Sequence, residues 1–251
     1  MLFDKPLENL DLMDAFDLNM TITSNRTLDS SVEGRIVKIL FLKITDDYDH
    51  LVPGIESIGK LFNFDTEVCS FTGFDKLKEH LCNGRPAKEQ IDMVFVGAHS
   101  NMDLISNDNL GTETLSWKEF ADHLCGCDGI TDKTKIYLGC CDGGFKNIAL
   151  TLMSRCPKIY SVSGVPCVLN TKQSPLAFHA LLYGLSINAD DQHIARMVTA
   201  AIGLSFNIHS RIEMLGELAA IETVQALYWA QGKLKDVDLQ FVQTPFELDK
   251  P

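Results

Sequence analysis

IDMVFVGA, at residues 91–98, is a nearly continuous apolar run of the kind that is buried in the middle of a parallel sheet, and it ends directly at His99. A second run, KIYL at residues 135–138, ends at the turn GCCDGG, residues 139–144. The carboxyl ends of parallel strands lie at one edge of a sheet, and ligands bind there in open α/β folds. We therefore expect a histidine and a cysteine to meet at that edge.

The rest of the chain is patterned as an α/β protein. From residue 36 onward short apolar runs alternate with amphipathic stretches, which is typical of βαβ units in a mostly parallel sheet. Residues 190–202 and 210–233 are patterned as mainly helical. The other predicted strands are residues 36–42, 66–71 and 158–162, and the other predicted helices are residues 53–62, 75–82, 146–155 and 175–185, with one more that opens at the N-cap Ser116.

The composition limits the partners and the compartment. The 251 residues include 22 basic and 34 acidic side chains, a formal net charge of -12. This charge repels phosphates, so we expect no nucleic acid and no membrane as a partner, and favour a neutral or basic protein. No apolar run approaches the ~20 residues that span a bilayer, and the first residues lack a secretory pattern. We therefore expect a cytoplasmic protein whose eight cysteines are reduced.

The domain organisation follows from changes in the pattern. Residues 1–34 are acidic and have no sustained period, so they form an N-terminal arm that is either a flexible terminus or a docking segment. Residues 35–205 form the α/β domain. Residues 206–251 are predicted to be a helical tail packed on that domain, with an edge strand or a loop at residues 237–246.

The chemistry of a histidine beside a cysteine points to acyl transfer. A thiol attacks as the thiolate, and an imidazole next to it takes the thiol proton and later protonates the leaving amine. A helix beginning directly after Cys141 would add its positive end to the same effect. The glycines of the turn let a substrate backbone approach and let the Cys141 N–H point at a developing oxyanion.

The same residues carry a resemblance to a known family. Cys141 follows His99 by about 40 residues, and caspases place the nucleophile about 50 residues after the histidine. LGCCDGG at residues 138–144 resembles the nucleophile motif of metacaspases and of the bacterial caspase-like domains called CHAT. LSWKEF at residues 115–120 and AFHALLYGL at residues 177–185 also resemble CHAT segments. The resemblance covers residues 36–200.

The resemblance implies a fold, an activity and a site. The fold is the caspase-like three-layer α/β/α arrangement around a mostly parallel sheet. The activity is that of a cysteine endopeptidase, a thiol protease that needs no cofactor and no metal. Cys141, the second cysteine of the pair, is the nucleophile and His99 transfers protons, while the backbone N–H groups of Cys141 and Ser100 bind the oxyanion. CHAT relatives act in bacterial defence or regulated cell death, which implies an antiviral or similar role and an activating ligand or partner protein.

Two residues depart from the family pattern. Ser100 stands where the family has glycine after the histidine, which motivates an alternative function as a catalytically silent adaptor or ligand-sensing module. Gly139 stands where metacaspases often have an acidic residue, so no preference for a basic P1 side chain carries over. Asp46 and Asp47, after the first strand, are candidate P1-pocket residues or members of a solvated turn.

Weaker candidates remain at the predicted cleft. Asp103 and Ser163 are candidate lining residues by their positions alone. Asp142 either orients the cleft or caps the following helix. Cys140 is the alternative nucleophile.

A zinc site is the alternative interpretation of the cysteines. His123, Cys125 and Cys127 supply soft ligands together with the cysteine pair at residues 140–141. The Cys-X-Cys spacing argues against zinc, since structural sites usually have two to four residues between paired cysteines. No dinucleotide or P-loop fingerprint is present in the sequence, so we expect no nucleotide site.

Overall fold

The computed structural model describes residues 36–230, except for residues 72, 84–89, 109 and 171. The predicted N-terminal arm, the predicted strand or loop at residues 237–246 and the part of the predicted tail beyond residue 230 lie outside these residues. The described residues belong to one compact unit that begins at Ile36. No helix within the described ranges is long and apolar enough to cross a bilayer.

The described residues form nine strands in two sheets. The strands are β1 (Lys38–Lys43), β2 (Asp65–Ser70), β3 (Ile91–Gly97), β4 (His99–Ser100), β5 (Leu104–Ser106), β6 (Thr114–Ser116), β7 (Ile130–Leu138), β8 (Ile159–Gly164) and β9 (Asn207–Ser210). The central sheet has the order β2-β1-β3-β7-β8-β9, and β9 alone runs antiparallel to its neighbour. A small antiparallel sheet, β4-β5-β6, follows the end of β3. The predicted mostly parallel sheet is confirmed.

Helices cover both faces of the central sheet. They are α1 (Val52–Leu61), α2 (Phe74–Asn83), α3 (Trp117–Cys125), α4 (Lys146–Arg155), α5 (Gln173–Ser186), α6 (Asp191–Ile202) and α7 (Leu215–Ala230), with a 3-10 helix at Asp46–Leu51. One apolar core joins the sheet to α2, α3, α4 and α7, and a second joins it to α1, α5 and α6. The predicted three-layer α/β/α arrangement is therefore confirmed.

The two cores follow from alternation along the strands. In β1, Leu40 and Leu42 enter the first core, whereas Ile39 and Phe41 enter the second. Successive side chains of a strand point to opposite faces, so a strand buried on both faces must be apolar throughout. In the second core Phe41 stacks on Phe95 with ring centroids 4.5 Å apart, and Phe95 stacks in turn on its neighbours from β7 and α5.

Two strands differ from the sequence prediction. β7 begins at Ile130, five positions before the predicted start, because its polar part is also paired: the buried Thr134 hydroxyl donates to the Ile91 carbonyl at 2.7 Å. β9 lies in the range that the sequence assigns to a helical tail. Its four residues include Asn207 and His209 and are too short and polar to show a strand period.

Candidate active site

His99 and Cys141 lie at the ends of neighbouring strands. β3 and β7 pair in parallel with Val96 opposite Leu138, and the Gly139 N–H donates to the Val96 carbonyl at 2.9 Å. Both side chains line one cavity of about 430 Å³. The structure thus brings the two predicted residues to one site. The other residues that line the cavity are Ser100, Asn101, Leu104, Ser106, Asp108, Leu110, Gly111 and Thr114.

A tight turn presents the sulfur of Cys141. Asp142 has a φ of 61°, in the left-handed region that non-glycine residues seldom adopt. A Cβ on Gly144 would lie 2.3 Å from the Gly164 carbonyl oxygen, so only glycine allows this approach to β8. The Asp142 N–H donates to the Cys167 carbonyl at 3.0 Å, which fixes the turn against the loop after β8.

The helix after the Cys141 turn begins where the sequence predicts. α4 begins at Lys146, and its N-cap is Phe145, which makes no side-chain capping bond. The predicted helix at residues 146–155 is therefore confirmed, and of the two roles considered for Asp142 that of a side-chain cap is wrong. Four residues, 142–145, separate Cys141 from the first residue of α4, so the helix does not begin directly after the cysteine.

The two adjacent cysteines occupy different environments. Cys140 is 1% exposed and belongs to the first apolar core, and this burial raises the pKa of its thiol to about 12. Cys141 is half-buried, and its sulfur lies 3.8 Å from the Leu169 carbonyl oxygen. A thiol that is buried and protonated at neutral pH is a poor nucleophile, so the geometry favours Cys141 over Cys140.

The ring of His99 is held by a carboxylate. Its Nε2 lies 2.9 Å from Oδ2 of Asp47, and the His99 side chain is 22% exposed. Asp47 lies on the 3-10 helix that follows β1, the strand next to β3 on the side away from β7. Because Nε2 is bonded to Asp47, Nδ1 is the ring nitrogen left to exchange a proton at the cavity.

Tyr48 anchors the 3-10 helix to Gly139, the residue that follows β7. The Tyr48 ring is buried, and its hydroxyl donates to the Gly139 carbonyl. Burial raises the pKa of Tyr48, so the hydroxyl keeps its proton and remains a donor. This contact connects the segment that carries Asp47 to the residue two before Cys141. Nothing in the sequence around Tyr48 signals this role.

The Ser100 side chain makes a hydrogen bond that a glycine at this position could not make. Its hydroxyl donates to the carbonyl of Cys141 and so joins β4 to the Cys141 turn. The Asn101 N–H bonds to the Leu104 carbonyl at 3.0 Å, so the next pair along, Ser100 opposite Ile105, is a non-hydrogen-bonded pair. The Ser100 N–H therefore points away from β5. The Cys141 N–H makes no hydrogen bond within the described residues.

For the cysteine peptidase activity that the sequence predicts, we expect Ser100→Ala to lower kcat by about 3- to 10-fold, because a lost hydrogen bond of about 1 kcal/mol loosens the Cys141 turn. Ser100→Thr keeps a hydroxyl and should retain most of the rate. Steady-state kinetics on a peptide cleaved by the wild type would measure both. Equal rates for the alanine and threonine variants would mean that the hydroxyl does not position the turn.

The Trp117 segment supports the wall of the cavity. The Trp117 indole N–H donates to the Asn101 carbonyl at 3.0 Å, and the Asn101 side chain accepts from the N–H groups of Asp103 and Leu104 at 2.8 and 2.9 Å. α3 opens at the predicted N-cap Ser116 with a capping box to Glu119. Asn101 is not among the site residues predicted from the sequence, although an asparagine at a tight turn is a recognisable signal.

Three of the predicted pocket residues are not among those that line the cavity: Asp46, Asp103 and Ser163. Asp46 is largely exposed and pairs with Lys43 at 3.0 Å. Asp103 is exposed and lies at the turn after β4 rather than among the lining residues. Ser163 is buried within β8, where its hydroxyl lies 3.3 Å from the Ile136 carbonyl. The structure therefore does not bring these three to the cavity.

Asp108 is the one carboxylate among the lining residues of this cavity. Hydrogen bonds from the Thr112 side chain and backbone lower the pKa of Asp108, so its side chain is anionic at neutral pH. Asp108 is not among the site residues predicted from the sequence. A negative charge at the cavity wall favours a neutral or basic substrate over an acidic one.

The rival zinc site is not assembled among the described residues. Cys127 is buried in the first core, and Cys125 neighbours Cys156 rather than the cysteine pair. Burial lowers the pKa of His123, and its Nδ1 has no partner among the described residues. All eight cysteines are free thiols. The described residues contain one group with metal-ligand geometry, and it lies outside this cavity.

Known proteins resemble this chain in structure rather than in sequence. No family model matches the chain, and no curated protein matches its sequence. The chain is similar to the crystal structure of caspase-1 from Spodoptera frugiperda at 13% identity and a TM-score of 0.46, over 70% of this chain and 86% of that chain. This similarity concerns the course of the chain and carries no information about activity.

Proposed function

We propose that this protein is a cysteine endopeptidase that hydrolyses peptide bonds in protein or peptide substrates. The observation that carries the proposal is the meeting of Cys141 and His99 at one cavity, with the His99 ring held by Asp47. A thiol, a base and a group that orients the base are the parts that acyl transfer by a cysteine requires. This chemistry calls for no cofactor.

Each residue then has a defined step. Nδ1 of His99 takes the proton of the Cys141 thiol, and the sulfur attacks the carbonyl carbon of the scissile bond. The N–H groups of Cys141 and Ser100 bind the oxyanion. The C–N bond breaks as His99 returns its proton to the leaving amine. Water, deprotonated by His99, then attacks the thioester, and the thiol is released with its proton restored.

The proposal also includes regulation of the activity by a ligand or partner protein. In the described structure no hydrogen bond joins His99 to Cys141, and the sulfur instead lies against the Leu169 carbonyl. Catalytic contacts often tighten only when substrate binds. We propose that a ligand or partner protein moves the loop after β8 and turns the thiol toward His99. The contact between Asp142 and Cys167 supports this coupling.

The proposed subfamily and biological role depend on the resemblance of residues 138–144 to the CHAT nucleophile motif. We propose a CHAT-like member of the caspase-like cysteine peptidases, acting in the cytoplasm in bacterial defence, including antiviral defence, or in regulated cell death. The motif at residues 138–144 and the Trp117 segment support it, and the bond from Trp117 to Asn101 explains why that segment accompanies this site.

The test is cleavage of a diverse peptide library by the wild type beside His99→Ala, read by mass spectrometry. We expect cuts made by the wild type alone, with neutral or basic side chains favoured at the subsite that faces Asp108. Cuts of equal rate in both samples would contradict the proposal. If neither sample cuts even with cell extract added as a source of activator, the silent adaptor on the same fold is favoured.

A further inference from the structure

Three potential metal ligands meet at the edge of the central sheet, outside the catalytic cavity. Glu67 and Cys69 are two positions apart on the edge strand β2 and therefore share a face. His80 reaches the same face from α2. The Cys69 sulfur lies 3.3 Å from His80 Nε2 and 3.4 Å from Glu67 Oε1, and these nitrogen and oxygen atoms are 3.9 Å apart.

These spacings match those of ligands around one tetrahedral ion. Zinc binds sulfur at about 2.3 Å and nitrogen or oxygen at about 2.0 to 2.2 Å, so neighbouring ligand atoms lie about 3.4 to 3.6 Å apart. Of the three observed distances, 3.4 Å lies within that range, and 3.3 Å and 3.9 Å lie within a few tenths of an ångström of it. We propose that Glu67, Cys69 and His80 form a binding site for zinc or a similar borderline divalent cation.

The surroundings suit a cation with an open fourth position. The His80 and Glu67 side chains are 27% and 36% exposed, so water or an external ligand can reach the ion. The Phe71 ring packs edge-on against the His80 imidazole with centroids 5.5 Å apart, which fixes the orientation of the ring. Lys38 lies 3.8 Å from the other oxygen of Glu67, so Oε1 remains directed at the sulfur and the imidazole.

Binding the ion exchanges one set of contacts for another. In the structure the Cys69 thiol donates to Glu67. On binding, the thiol proton passes to solvent, and the thiolate, the neutral imidazole and the carboxylate each give one bond to the cation. The net charge of the site becomes zero. Because α2 and β2 both supply ligands, the bound ion ties this helix to the edge strand and stabilises the fold.

Titration with Co²⁺ and then Zn²⁺ tests the site in the Cys141→Ala protein, which lacks the active-site thiol. We expect one equivalent of Co²⁺ with a near-ultraviolet thiolate-to-cobalt absorption, displaced by Zn²⁺. Cys69→Ser and His80→Ala in the same background should weaken binding by about 100-fold or more. Cys82→Ser is the matched control, since Cys82 is an exposed cysteine of the same helix and should leave binding unchanged.

Thermal unfolding gives a second readout. Zinc at about 100 times its Kd should raise Tm by about 5 to 10 °C in the Cys141→Ala protein and in its Cys82→Ser variant. The Cys69→Ser variant should gain nothing, and circular dichroism without metal shows whether it is folded. If it does not fold, Glu67→Gln serves instead. No cobalt absorption in the folded parent, or full absorption in Cys69→Ser, would overturn the proposal.

Discussion

Replacing Cys141 by alanine should lower peptide cleavage by at least about 10³-fold, because the substitution removes the attacking atom and leaves only binding and oxyanion contacts. Cys141 is half-buried at the cavity surface, so the free energy of unfolding should change little. Cleavage of a fluorogenic form of a peptide found in the library, together with thermal unfolding of the same samples, would separate loss of chemistry from loss of fold.

Cys140→Ala is the matched control because it changes the adjacent residue of the same type. The Cys140 side chain packs in the apolar core, and with a pKa of about 12 it is protonated at pH 8. We expect cleavage within about 10-fold of wild type and a stability loss of about 1 kcal/mol. An active Cys141→Ala protein beside an inactive Cys140→Ala protein would contradict the assignment.

The arrangement of the strands could be predicted because apolar pattern and burial agree in this protein. Residues 91–98 are apolar except for Asp92, since β3 lies in the middle of the sheet with a core on each face. The same reasoning located His99 and Cys141, because both lie within three residues of the ends of such strands. β9 escaped prediction because it is an edge strand of four residues whose pairing with β8 comes from tertiary context.

The contacts that organise the site could not be read from the sequence. Tyr48 and Gly139 are far apart in the chain and meet because β1 and β7 both neighbour β3. Asp47 was selected as a candidate pocket residue, and its bond to the His99 ring is a long-range contact with no local signature. In the sequence, Ser100 is only a departure from the glycine expected after the histidine. The bond from its hydroxyl to the Cys141 carbonyl could not be predicted, because it exists only in the folded turn.

Asp47→Ala should lower kcat by about 10- to 100-fold and leave KM within about 3-fold, since an orienting group acts on proton transfer rather than on substrate binding. Without the carboxylate the His99 ring loses its bond at Nε2, and its other nitrogen spends less time facing the thiol. Asp47→Asn keeps an acceptor for Nε2–H but loses the charge that stabilises an imidazolium, so its rate should fall between those of the wild type and the alanine variant.

Asp46→Asn is the control for this prediction. Asp46 precedes Asp47 in the same 3-10 helix, but its side chain is 95% exposed and contacts Lys43 instead of His99. Its kcat should equal that of the wild type.

The KM of Asp47→Ala discriminates between two roles for the Asp47 carboxylate. A rise in KM confined to substrates with Lys or Arg at P1 would identify Asp47 as a wall of the P1 pocket, whereas a fall in kcat across all substrates identifies it as the group that positions His99.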